Sequence, residues 1–308
     1  MQDIKNIGVI GHLSIDDIKT STDVYKGVLG GAAVYSSLAV SSNGNYAHMI
    51  STSCEDFDLA TLQEKANERV NTQDVLHILG KQRRAFMEYT KEFSRTSHNH
   101  ARLEWLQDTI KQCPRHIPRL INYDGVMLVP MLPEMQKQYV AWFRKHTKSV
   151  ICLDTSEYFA ENNREEIKQL IKLADIFIPS DVELDLLFPE HNGDLYLHID
   201  MLRYFGIKIA VIKRSTKGSI LISDDGIYSC NIRSTEAKDT TGAGDSFAGS
   251  FLSMYLSSKD LIKSLKYATI VSSFCVEQVG FDGLIHLDSK RIADEMEKLQ
   301  INREMRLL

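Results

Sequence analysis

The chain has 308 residues, 43% of them hydrophobic and 25% charged, enough to bury a full core as one large domain over 1–308 with a small appendage. A formal net charge of -5 and an isoelectric point near 6.1 leave no basic footprint, so nucleic acid is not an expected partner. No stretch reaches the length of a membrane span, and Met1 leads through polar residues into a strand without a signal-peptide pattern, so no membrane partner and a cytoplasmic location are expected. The cysteines Cys54, Cys113, Cys152, Cys230 and Cys275 are odd in number, far apart and free of any Cys-x-x-Cys pair, as reduced thiols are.

Ile7-Gly8-Val9-Ile10-Gly11 is a short apolar run of the kind found in buried parallel strands. His12 to Asp17 follow with polar side chains at its carboxyl end, where ligands bind in doubly wound sheets. Gly30-Gly31-Ala32-Ala33 is a loop of small residues entering a helix that carries Tyr35. A βα unit is expected next, with a strand near 48–52 and a helix near 59–69. Val75-Leu76-His77-Ile78 and Ala85-Phe86-Met87-Glu88-Tyr89, with 91–95 after them, alternate as exposed antiparallel strands do. Arg84 and Arg95 on this stretch are either solvated charges or substrate contacts.

From Gly125 the alternation becomes regular: strand 126–129, helix 134–146, strand 150–153 ending at Asp154, helix 165–174. Repeated βα units of this length predict a mostly parallel sheet with helices on both faces. Ile176 to Glu183 is another strand end, on which Asp181 and Glu183 either favour the start of a helix or serve a ligand. Ile209 to Gly218 reads as strand and turn, with Lys213 or Arg214 able to neutralise phosphate charge. Ser219 to Ile222 begins a hairpin that turns at Asp225-Gly226.

The most informative stretch is Asp239-Thr240-Thr241-Gly242-Ala243-Gly244-Asp245-Ser246-Phe247-Ala248-Gly249. Phe247, Phe251, Leu252, Tyr255 and Leu256 recur at helical spacing, so a helix starts here. Gly242, Ala243 and Gly244 carry almost no side chain and leave first-turn N–H groups available to an anion. Asp245 sets a carboxylate beside that anion site, where it can take a proton from a hydroxyl as phosphate arrives. The plainer reading is a helix cap with small residues for packing. Further helices are expected over 268–279 and, amphipathic and charged, over 289–308.

The 239–249 string resembles, almost letter for letter, the C-terminal signature of the ribokinase-like (PfkB) carbohydrate kinases, and Gly30-Gly31 is similar to their N-terminal signature. The resemblance implies an α/β fold: a three-layer αβα sandwich with a mostly parallel central sheet and a small β lid, its strands within about 12–30 and 75–97. It further implies ATP as co-substrate, Mg2+, and a small-molecule polyol such as a sugar as acceptor. On that likeness Asp245 is the general base, with the N–H groups of Gly242, Ala243 and Gly244 holding the transferring phosphoryl group. Asp16, Gly30, Gly31 and Tyr35 hold the acceptor, and Lys213, Thr241 and Gly218 face the nucleotide. Glu183 and Asp239 stand behind the waters of the metal, and the lid pairs two copies into a homodimer. The chain departs from the family pattern at Tyr35 and Ser180, where Asn is usual, at Ser215, where Gly is usual, and at Ser250, where Ala or Gly is usual. A nucleoside or inositol kinase of the same fold, and a ligand sensor without turnover, are the alternatives.

Overall fold

The computed structural model describes residues 3–90, 95–98, 117 and 122–304; Cys113 lies outside them. Strand β1 (Asn6–Ile10) is apolar and buried. A hairpin of β2 (Ser14–Lys19) and β3 (Val24–Gly30) leads into helix α1 (Ala32–Ser41), every residue of which is buried. After β4 (Tyr46–Cys54) come α2 (Leu59–Lys65), β5 (Val70–Ile78), β6 (Arg84–Tyr89) and β7 (Arg95–His98), the last described in its backbone alone.

The second half is the expected βα alternation: β8 (Gly125–Leu128), α3 (Pro133–His146), β9 (Val150–Leu153), α4 (Glu157–Asn162), α5 (Arg164–Ile171) and β10 (Ile176–Phe177). It continues through α6 (Asp181–Leu187), α7 (Leu195–Tyr204) and β11 (Ile209–Lys213) to the hairpin of β12 (Ser219–Ser223) and β13 (Gly226–Cys230). Helices α8 (Ala243–Ser258), α9 (Leu261–Cys275) and α10 (Ser289–Lys298) and strand β14 (Ile301–Arg303) close the chain.

Ten strands form one sheet in the order β14-β13-β12-β11-β10-β9-β8-β1-β4-β5, parallel from β11 to β5 and antiparallel beyond. The chain leaves β1 towards β4 and β5, then returns to β8 and runs outward the other way. With right-handed crossovers this reversal puts helices on both faces and places the switch point between β1 and β8, beside the carboxyl ends of the strands. On one face, α1 packs on α8 closely enough that a Cβ on Gly249 would meet the Ser36 backbone. The apolar faces of both layers and of the sheet form one continuous core. Among the described residues no helix is long and apolar enough to cross a membrane, and Cys54, Cys152, Cys230 and Cys275 are free thiols.

A second sheet, in the order β3-β2-β6-β7, lies apart from the first. Two expectations need correction. Val75–Ile78 belongs not to this small sheet but to β5, paired in parallel with β4 from Ser51↔Val75 to Cys54↔Ile78; a strand on the edge of a large sheet alternates as an exposed one does. The helix expected over 289–308 stops at Lys298, and Ile301–Arg303 pair antiparallel with β13 instead. The open edge of the hairpin outweighs helical propensity there; residues 305–308 lie outside the described residues. Helix α9 spans 261–275 rather than 268–279, its start fixed by Asp260, which accepts from Lys263 N–H at 2.9 Å.

Candidate active site

The ends of β1, β9, β10 and β11, the start of α8 and the inner face of the small sheet meet at one cleft. Helix α8 begins at Gly242, whose φ of 74° is left-handed. The Tyr35 ring lies where a Cβ on this residue would stand, so both backbone and space demand glycine. Ala243 N–H turns back to the Thr240 carbonyl at 3.3 Å, while Gly244 N–H lies in the first turn, at the positive end of a sixteen-residue helix. Asp245 sits in that first turn, partly exposed, its backbone carbonyl accepting from Ser36 Oγ at 2.9 Å.

Lys213 ends β11, and its Nζ lies 3.5 Å from where a Cβ on Gly244 would stand, so a cation accompanies the anion loop. The same Nζ donates to both oxygens of Asp154, at 2.9 and 3.0 Å. Burial works against the Lys213 charge, but Asp154 and Glu183 outweigh it and the ammonium is held above its ordinary value. Burial pushes Asp154 up to about 6 in spite of Lys213, and Asp245 adds to the rise. Glu183 is pushed up to about 7 for the same reason. It closes a capping box on α6: Ser180 N–H donates to Glu183 Oε2 at 2.7 Å and Glu183 N–H to Ser180 Oγ at 3.1 Å. Ser180, one of the departures, therefore has a structural task. Asp154 was noticed in the sequence only as a strand end; its partner became visible through β9 and β11 meeting across β10.

Asp239, expected behind the waters of a metal, is fully buried, and its two oxygens accept from Thr241 N–H (2.9 Å) and Gly280 N–H (2.8 Å), bracing the loop before α8. The Thr241 hydroxyl, expected to face a nucleotide, pairs with Tyr89 Oη at 2.9 Å and ties the anion loop to β6. Gly218 closes the turn after β11 against the Cys230 carbonyl. A cavity of about 340 Å³ opens behind that turn, with Lys217, Arg214 and Tyr196 in its lining.

At the end of the cleft by β2 and β3, Gly31 caps α1 with φ 101°, where a Cβ would press on the His12 carbonyl and the Leu13 backbone. Asp16, 2% exposed, lies on β2 against Gly30. Burial raises its carboxyl to about 6, a Ser14 hydrogen bond and Arg83 opposing the rise, and its Oδ1 has no hydrogen-bond partner. The Tyr35 ring is 1% exposed, enclosed by Gly30, Gly242 and Gly280, so a ligand can meet at most its hydroxyl, which also lacks a partner. Arg84 is half exposed and pairs with Asp56 at 3.1 Å. The arginine of this cleft is its neighbour Arg83, whose charge acts on both Asp16 and Asp245. Strand alternation from Arg84 would have found it. Arg95 lies on β7, outside the residues whose side chains are described.

A sugar kinase of Archaeoglobus fulgidus, itself uncharacterized, is 29% identical over 130 residues, 42% of this chain and 51% of that one. A nucleoside kinase of Methanothermobacter thermautotrophicus is 29% identical over 138 residues, 45% of this chain and 43% of that one. The chain thus spans about half the length of the curated relatives it matches. An E. coli kinase structure solved with ATP and Mg2+ superposes with a TM-score of 0.78 at 18% identity, covering 96% of this chain and all of the other, a likeness of fold. The model of the pfkB family carbohydrate kinases matches residues 14–285, from the small sheet through the anion loop to the segment after α9, and the chain belongs to that family.

Proposed function

We propose that the protein transfers the γ-phosphoryl group of ATP to a hydroxyl of a small polyol, with Asp245 as general base. The observation that carries this reading is the joint placement of Asp245, Gly244 N–H and Lys213 Nζ at the start of α8. The acceptor oxygen attacks the γ-phosphorus in line while the bond to the β–γ bridging oxygen breaks. The hydroxyl proton passes to Asp245, and the phosphate ester and ADP leave. Gly244 N–H, the helix end and Lys213 stabilise the charge spread over the transferring oxygens. Asp16 accepts from another acceptor hydroxyl beside Gly30-Gly31 and orients the attacking one.

Among the described residues no group of three His, Cys, Asp or Glu side chains could hold a metal unaided. Mg2+ keeps several waters and takes phosphate oxygens, so it needs no all-protein cage. Glu183 and Asp154 would hold those waters, and the ion would neutralise phosphate charge. The bond from Tyr89 to Thr241 joins the small sheet to the anion loop, so closure of that sheet over the acceptor would exclude competing water. The outer strand β3 offers an edge on which a second copy could pair, which sedimentation of the purified protein checks.

The deciding experiment is ADP release with Mg2+ and ATP against sugars, sugar phosphates, sugar acids, nucleosides and inositols, in parallel on Asp245→Asn. The expected outcome is turnover with one acceptor class and a loss of about 10²–10⁴-fold in kcat for the variant, with ATP binding retained. An Asp245→Asn enzyme as fast as the wild type would remove the base from the mechanism.

A further inference from the structure

Arg83 is a half-buried cation that, among the described residues, has no side-chain hydrogen bond or ion pair, and its Nε is enclosed. Its backbone is pinned: its carbonyl accepts from Ile15 N–H at 2.9 Å. Its neighbours are pinned through their side chains, Gln82 bridging Cys54 N–H and the Leu13 carbonyl at 2.8 Å each, and Arg84 pairing with Asp56. Held on both sides, Arg83 projects into the cleft with its Nε enclosed and unbonded. It feels Asp16 and Asp245, which favour its charge while burial opposes it, and it disfavours a charge on His12. Among the described residues neither carboxylate comes within ion-pair distance of it. Two more groups are unsatisfied nearby: Asp16 Oδ1, whose carboxylate acts on Arg83, and Tyr35 Oη, whose ring meets Asp16 at Gly30.

An enclosed guanidinium N–H left unbonded in a half-buried cation costs stability, and a ligand that reaches the fork would offset that cost. Hydroxyls of a neutral polyol suit Asp16 and Tyr35, but the planar fork of donors on an arginine matches a carboxylate or phosphate. We infer that Arg83 is the specificity-determining residue of the acceptor site and that the acceptor carries an anionic group, a phosphate monoester or a carboxylate, away from the hydroxyl presented to Asp245. The inference rests on the kinase reading for its orientation, but the anion subsite itself needs no turnover.

The test therefore reads binding and turnover separately. Calorimetry without nucleotide compares fructose with fructose 6-phosphate, glucose with gluconate, and inorganic phosphate as a minimal anion, on wild type, Arg83→Met and Arg83→Lys. In the wild type the anionic member of a pair should bind about 10–100-fold more tightly than the neutral one. Which pair shows the preference tells phosphate from carboxylate. Arg83→Met should bring that ratio close to one, and Arg83→Lys should keep part of it. With no ligand present, Arg83→Met should melt at the same temperature or about 1–3 °C higher, because an unpaired charge has been removed. Two results overturn the inference: no anion binding the wild type more tightly than Arg83→Met, or a lower ligand-free melting temperature with both members of each pair weakened alike. An Arg83-dependent preference without ADP release from any acceptor supports the subsite while refuting the kinase reading.

Discussion

The two ends of the cleft are built on opposite principles. At the end by β9 and β11 the charges answer one another: Lys213 bonds both oxygens of Asp154, and Glu183 bonds its own helix cap. At the end by β2 and β6 they do not: Asp16 Oδ1, Tyr35 Oη and Arg83 Nε are enclosed and unpartnered. A site for a nucleotide shared by every turnover can be assembled before the ligand arrives, since phosphates bind to dipoles and cations already in place. A site that selects one acceptor leaves polar groups unsatisfied until the right ligand comes, and rejects ligands that cannot satisfy them. On the proposed function, the stability cost falls at the end by β2 and β6.

The contrast breaks most visibly at Lys213. Lys213→Met leaves Asp154 buried without its cation, and breaking such a pair costs about 3–5 kcal/mol. The orphaned carboxyl then takes up a proton in the folded state, so the loss should be large at pH 8 and shrink towards pH 5, read from urea melts at both values. Adding Asp154→Leu should restore most of the stability. A single variant as stable as the wild type would mean the donor side is not held by this pair.

Asp16→Asn should act in the opposite direction. The folded value of about 6 lies above the unfolded 3.8, so the folded state binds the proton more tightly. The stability this gives is complete below about pH 3.8 and lost as pH rises through about 6, leaving a cost of about 3 kcal/mol at pH 7–8. Asp16→Asn should therefore stabilise the apoprotein by about 1–3 kcal/mol at pH 8, with the gain vanishing near pH 4, while acceptor binding weakens. A variant less stable than wild type at pH 8 would show that Asp16 is satisfied in the fold.

The smallest effect concerns the joint between the two ends. Thr241→Val removes the hydroxyl that pairs with Tyr89, which should cost about 1 kcal/mol and raise amide exchange along β6. Unchanged exchange there would uncouple the small sheet from the anion loop.

Much of this was legible along the chain because it is local. Apolar runs gave β1 and β8 to β11, and Gly242-Ala243-Gly244-Asp245 followed by helical periodicity gave the start of α8, since caps, turns and amphipathic faces are written within a few residues. Strand alternation, in contrast, looks the same on a lid and on the edge of a large sheet, so Val75–Ile78 became known as part of β5 only from its pairing with β4. For the same reason Ile301–Arg303 read as helix until the open edge of β13 was seen.

The sequence by itself determined the fold family, the anion loop and the carboxylate beside it, because each is a property of one contiguous stretch. Tertiary structure alone decided which charges are paired. It joined Lys213 to Asp154 across 59 residues, turned Asp239 and Thr241 into braces, and left Arg83 facing the cleft while Arg84 found Asp56. Pairing depends on distances of a few ångströms between segments remote in the chain, and in a low-dielectric interior those distances set both the energy of a charge and the ligand it awaits.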